Sequence, residues 1–107
     1  MEVKVIKINK IDDRKVIVYP EEKINYTNSQ KLKKKMLVLY EEGYNFITID
    51  FSEVESIDSS GLGKILLFHK KLKEREGKLK IINVQNEYIK KMFELIHLDK
   101  VIEIEDA

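Results

Sequence analysis

"ITIDFSEVESIDSSGLGKIL", residues 47–66, is the stretch on which the fold turns. Its front end belongs to "YNFITIDF" (residues 44–51), a nearly continuous β-branched and aromatic run. Such a run predicts a strand covered on both faces. Its back end opens an amphipathic run that predicts a helix starting at Ser59 or Ser60. Between them two serines follow Asp58, and Gly61 and Gly63 flank Leu62. The chain has only four glycines, so half of them fall within three positions. In the first turn of a helix each costs roughly 1 kcal/mol against alanine. Something must offset that cost: close approach of another surface to the serines, or tight packing of the helix on a neighbour.

Working outward, residues 1–9 alternate imperfectly between charge and apolar side chains. They read as an edge strand, bulged at Val5-Ile6, with Lys4 and Lys7 suited to an edge. Asp12-Asp13 reads as a hairpin turn into a second strand, "KVIVY" (residues 15–19), which Pro20 ends because it has no N–H to donate. A helix is expected over residues 29–42, with Asn28 as N-cap and Gly43 just past its end. Leu32, Met36, Leu39 and Tyr40 fall on its inward face, and Lys31, Lys33, Lys34 and Lys35 mostly elsewhere. The helix after the serines is expected to reach Glu76, with Leu62, Ile65, Leu66, His69 and Leu72 inward and Gly77 ending it. "KLKIINV" (residues 78–84) reads as another buried strand. A third helix follows over residues 87–96, capped by Asn86, with Ile89, Met92, Phe93 and Ile96 inward. "VIEI" (residues 101–104) is the last strand.

The order is therefore ββαβαβαβ. Strands separated by helices imply parallel neighbours joined by crossovers. Laying each strand beside the previous one puts every crossover helix on the same side. The expectation is one α/β domain over residues 1–107: a mostly parallel sheet with an antiparallel N-terminal edge strand, and helices mainly on one face.

Bulk properties narrow the chemistry. The 107 residues fit one ordinary domain, and 43% hydrophobic content is enough for a core without disulfide or metal staples. There is no cysteine, which removes disulfides, thiolate zinc sites and cysteine nucleophiles. Twenty basic residues stand against 19 acidic ones, a net charge of +1. That balance gives no field for nucleic acid or a membrane surface. The lysine cluster from Lys31 to Lys35 reads as a solvated helix face. Charged residues reach 36%, mostly Lys and Glu, an enrichment met in proteins from hot environments. No apolar run approaches the ~20 residues that span a bilayer. The opening "MEVKVIKINK" has no signal-peptide core, so a cytoplasmic location is expected.

The serines lie at the carboxyl end of a central strand, where open α/β sheets place their ligand sites. Unpaired amides at a helix start also favour anions there. The plainer alternative is that Ser59 only caps the helix while Asp58 favours its positive end. "DSSGLG" is not the G-x-S-x-G elbow of a hydrolase. A nucleophilic serine needs a base within hydrogen-bond reach, and His69 and His97 lie well inside or at the far end of helices. The spacing matches neither G-x-G-x-x-G nor a P-loop. Asp50 and Asp58 lack recognised metal-ligand spacing, so a hydrogen-bonded or solvated carboxylate is expected at Asp50.

With those residues in place, the stretch resembles the signature of the STAS domain family, in particular the bacterial anti-sigma factor antagonists. The family pattern is an apolar strand ending in Asp, a short loop, then Asp-Ser-Ser/Thr-Gly-Leu-Gly opening a helix. The resemblance continues through "GKLKIINV" and "IKKMFELIHLDKVIEI". It implies that Ser59 is a regulatory phosphorylation site and that Ser60 is not the acceptor. It implies a partner, an anti-sigma factor that is also an ATP-dependent serine kinase. The unphosphorylated protein would bind that partner and release the sigma factor. Phosphorylation would end the binding, and a PP2C-type phosphatase would reset it. The domain would carry no cofactor and no catalytic residue of its own.

The partner surface is expected to comprise Asn25, Tyr26, Thr27, Asp58, Ser59, Ser60, Gly61, Leu62 and Gly63, with the glycines keeping the ground around Ser59 low. One position departs from the family. Where the family often has Gly-Glu-Leu-Asp before the first helix, this chain has "EKIN", so Asn25 replaces the aspartate. An amide keeps hydrogen-bond geometry and loses the charge. The competing readings are a STAS scaffold or transporter-associated subunit that is never phosphorylated, and a small hydrolase using Ser59.

Overall fold

Asp12 makes the first turn. Its Oδ1 accepts hydrogen bonds from the backbone N–H of Arg14 and of Lys15, each at 2.8 Å, closing a hairpin as an aspartate at a turn does. A computed structural model describes residues 5–105 of the chain. Along it run β1 (Lys7–Lys10), β2 (Lys15–Tyr19), β3 (Lys23–Ile24), α1 (Ser29–Glu41), β4 (Phe46–Asp50), β5 (Ser56–Ile57) and α2 (Ser59–Glu74). Then follow β6 (Lys78–Ile82), α3 (Glu87–Leu95), a 3-10 turn at Leu98–Lys100 and β7 (Glu103–Glu105).

Five strands form one sheet in the order β1-β2-β4-β6-β7. β1 runs antiparallel to β2, and every other pairing in this sheet is parallel. The expected α/β architecture stands. β1 starts at Lys7, so Val5 and Ile6 precede the strand and form no bulge in it. The part of the expected strand over residues 1–4 lies outside the described residues.

Side-chain alternation decides which face is covered. Val16, Val18, Ile47, Ile49, Leu79 and Ile81 point to one face and are buried in a common core with residues of all three helices. Lys15, Ile17, Phe46, Thr48, Lys78 and Lys80 occupy the other face, exposed or half-buried. The helices therefore lie on one side, as expected. β4 and β6 are not covered on both faces, contrary to what their apolar runs predict. Phe46 and Thr48 account for the difference, because they are strand-favouring residues on an open face.

The helix faces also differ in detail from expectation. Phe68 is fully buried on α2, whereas Leu62, Leu66 and His69 are only half-buried flanks of the stripe. α3 buries Ile89 and Phe93, with Met92 half-buried, but Ile96 is 47% exposed and Leu98 takes the inward place. Phe93 meets Phe51 edge-on, with ring centroids 5.8 Å apart, and so fixes α3 below the end of β4. The last strand starts two residues later than expected, leaving Val101 exposed.

Helix ends show which backbone positions need glycine. α1 closes through Gly43, whose φ of +98° is left-handed, with its N–H donating to the Tyr40 carbonyl. At the end of α2 the left-handed residue is Glu76, at φ +63°, and not Gly77. Gly77 is needed because a Cβ there would collide with the Asn45 carbonyl. Arg75 joins the two helix ends. Its guanidinium stacks 3.5 Å from the Tyr40 ring centroid and donates to the carbonyls of Tyr40 and Tyr44 at 2.7 and 3.0 Å. A lysine keeps the charge but loses the planar fork and the stack. Arg75→Lys is expected to cost about 1 kcal/mol in urea unfolding; an unchanged midpoint would show that the fork contributes nothing.

Candidate functional site

A small second sheet, invisible in the sequence pattern, builds the site. β3 and β5 pair in parallel, Lys23 opposite Ser56 and Ile24 opposite Ile57. This pairing draws the turn before α1 against the start of α2. The sequence pattern shows only loop at Ser56 and Ile57, since two residues carry no detectable periodicity.

The α2 cap is Asp58, one residue earlier than the plainer reading places it. Asp58 is extended, and its Oδ1 accepts from the Gly61 N–H at 3.0 Å. The Ser60 hydroxyl donates to the same oxygen at 2.8 Å. Oδ2 accepts from the backbone N–H of Tyr26, 32 residues earlier, at 3.0 Å. One carboxylate thus joins two segments. Ser59 is the first helical residue, not the cap. It is exposed, and its hydroxyl takes no part in the bonds that hold Asp58 and Ser60. Ser60 is half-buried and turned back onto the cap.

The two glycines separate into different roles. Gly61 is buried, and a Cβ there would lie 2.5 Å from Ile24 Cγ2 and 2.8 Å from the Ile24 carbonyl oxygen. Its bareness lets α2 sit on β3, so the position is packed against Ile24 and is not open ground beside Ser59. A Cβ at Gly63 would meet nothing within 4 Å, and the residue is exposed. Leu62 is half-buried between them.

On the facing turn, Tyr26 is 77% exposed and Thr27 is exposed. Asn25 is half-buried, and its Oδ1 accepts from the Thr27 N–H at 3.0 Å, the Thr27 hydroxyl and the Asn28 N–H. Asn28 occupies the α1 cap position without capping it. Its side chain reaches back instead, accepting from the Asn25 N–H at 2.8 Å and donating to the Lys23 carbonyl. Both asparagines therefore shape the turn. Every residue expected at the partner surface lies on these two joined segments.

The bonds to Asp58 hold its carboxyl below the usual carboxylate range, the Gly61 N–H most, then the Ser60 hydroxyl, against a smaller upward pull from burial. With the folded pKa the lower one, the stabilisation is full above the unfolded carboxylate pKa of about 3.9 and fades as pH falls through the folded value. Asp58→Asn is expected to be less stable than wild type at neutral pH and to lose less between neutral pH and strong acid. Urea midpoints across that range measure it, and parallel curves would refute it.

Other chemistry is not assembled here. Among the described residues, neither histidine hydrogen-bonds to Ser59 or Ser60. His69 sits half-buried on α2, its pKa lowered by burial and by Lys73. Asp50 is buried and hydrogen-bonded, accepting from the Ser52 N–H at 2.8 Å and from Asn83 Nδ2 at 2.9 Å.

A mixed sheet covered on one face, with an exposed serine opening the helix after its central strand, defines a class of small α/β domains. The STAS domain model matches residues 5–107. A Thermotoga maritima protein named as a candidate anti-sigma factor antagonist is 34% identical over 92% of this chain and 87% of its own length. The crystal structure of TM1081 from Thermotoga maritima, also named as a candidate anti-sigma factor antagonist, superposes with a TM-score of 0.87 at 31% identity, over 95% of this chain and 86% of that one. The anti-sigma factor antagonist SpoIIAA in its unphosphorylated form gives 0.82 at 18% identity, over 96% and 88%. Its phosphorylated form, from Bacillus, gives 0.76 at 17%, over 96% and 91%. The chain belongs to the STAS domain family.

Proposed function

We propose that the protein is an anti-sigma factor antagonist switched by phosphorylation of Ser59. The unphosphorylated form binds an anti-sigma factor that is also a serine kinase, and so frees the sigma factor. The kinase then transfers phosphate to Ser59, and a PP2C-type phosphatase reverses the modification. The cycle is cytoplasmic, and the domain contributes a surface and an acceptor hydroxyl while its partners carry the chemistry. Among the described residues no helix is long and apolar enough to cross a membrane.

The observation that carries this reading is the contrast between the adjacent serines. Ser59 is exposed, with a hydroxyl left out of the cap, whereas the Ser60 hydroxyl is held by Asp58 at 2.8 Å. The relatives fit it: a Thermotoga protein carries the antagonist name, and SpoIIAA is known in both phosphorylation states. Phosphate on Ser59 adds roughly 1.5 to 2 negative charges beside the Asp58 carboxylate. A partner surface that also binds nucleotide phosphates then meets a like charge.

The test is incubation with the cognate anti-sigma kinase and ATP, followed by site-resolved mass spectrometry. Phosphate on Ser59 with release of the complex is expected. Stable binding with no phosphate transferred would instead fit an unmodified STAS scaffold.

A further inference from the structure

Exposed aromatic side chains are common, and Tyr88 on α3 is 88% exposed without any sign of a role. Tyr26 differs in how its backbone is held. Its N–H is bonded to Asp58 Oδ2 at 3.0 Å across 32 residues of sequence. The turn on its far side is closed by Asn25 Oδ1, which accepts from Thr27 and Asn28. Beneath it β3 is fixed to β5, and Ile24 is pressed against bare Gly61. An exposed tyrosine on so well tied a turn has already lost the backbone freedom that binding would otherwise remove. Tyrosine is also among the residues that most often dominate interfaces.

We infer that Asp58 is the positioning residue of the partner surface: its carboxylate locks the Tyr26 turn to the start of α2, so that Tyr26 anchors the anti-sigma kinase beside Ser59. This rests on the proposed function for the identity of the partner, but the lock itself does not. The two carboxylate oxygens divide the work. Oδ1 caps α2, and Oδ2 holds Tyr26.

Asp58→Asn separates them. Asparagine caps helices as well as aspartate does, so Oδ1 keeps its place. The second position becomes an NH2 group facing the Tyr26 N–H, donor against donor. In the free protein, the Tyr26 amide is expected to exchange its hydrogen at least tenfold faster in Asp58→Asn, while the far-UV spectrum is unchanged. An unchanged exchange rate overturns the lock.

Binding to the anti-sigma kinase tests the second half. Tyr26→Ala is expected to weaken the complex at least tenfold and Asp58→Asn several-fold. The double variant should bind about as well as Tyr26→Ala alone, because Asp58 acts through Tyr26. Additive losses would mean that Asp58 touches the partner directly, and would overturn the positioning role. An unaffected Tyr26→Ala would overturn the anchor. If the wild type binds no such kinase, the functional reading and the anchor fall together, and the exchange experiment still decides the lock.

Discussion

Ser59→Ala is expected to accept no phosphate and to stay bound to its anti-sigma partner through repeated additions of ATP. Ser60→Ala is expected to be phosphorylated and released. Phosphorylated wild type should bind at least about 100-fold more weakly than the unmodified protein, since placing like charges face to face costs several kcal/mol and each 1.4 kcal/mol is tenfold. The asymmetry comes from geometry. Ser59 is the first residue of α2 and exposed, and Ser60 is committed to Asp58 Oδ1. Because Asp58 and not Ser59 caps the helix, Ser59→Ala should retain wild-type stability. Ser59→Asp should weaken binding less than phosphate does, having one charge in place of nearly two. Quantitative binding before and after ATP, with the modified residue located by mass spectrometry, measures all of this. Phosphate on Ser60, or equal labelling of Ser59→Ala and wild type, would overturn the assignment.

Much of the architecture is legible in the sequence because long-range order here follows local pattern. Three helices separated by strands imply parallel pairing whatever the details. Asn86 caps α3 by accepting from the Ile89 N–H at 3.0 Å, as its position before an amphipathic run implies. The limits are equally local. Phe46 and Thr48 have the composition of buried strand residues and sit on the open face, since β-propensity records a fit to a pleated surface and not burial. Phe68 escapes a stripe drawn through Leu66 and His69, because the buried face lies one step around the helix.

The site is legible in its residues and not in its construction. The motif locates Asp58, Ser59 and Ser60. Nothing in it says that Asp58 also binds a backbone amide 32 residues earlier. That bond depends on the pairing of β3 with β5, two residues each, too short to leave any periodic trace. Asn25 stands out in the sequence by its difference from the family aspartate. Its oxygen is occupied within the turn, accepting from Thr27 and Asn28, and no sequence pattern signals that role.

Gly61→Ala and Gly63→Ala are expected to change stability in opposite directions, although the two glycines stand two residues apart on one helix. A methyl at Gly61 would come within 2.8 Å of the Ile24 carbonyl oxygen and 2.5 Å of Ile24 Cγ2. The side-chain carbon has nowhere to retreat, because Ile24 is 1% exposed, and the carbonyl moves only if β3 moves. Overpacking of this kind costs about 1–3 kcal/mol, more than the gain of placing alanine in a first helical turn. Set against up to about 1 kcal/mol of helix propensity regained, this leaves a net loss of about 1 kcal/mol. The shift of β3 carries the Tyr26 turn with it, so partner binding should weaken as well. At Gly63 a methyl meets nothing within 4 Å, and alanine recovers up to about 1 kcal/mol of helix propensity. Thermal midpoints of the two variants should therefore stand roughly 8–16 °C apart, at about 4–8 °C per kcal/mol for a domain near this size. If the surface around Ser59 is the docking site, the more stable Gly63→Ala protein should nevertheless bind its partner less well, and Gly63→Arg far less. Two glycine variants moving in the same direction would disprove the packing account. A Gly63→Arg protein with native spectrum and undiminished affinity would move the interface away from the start of α2.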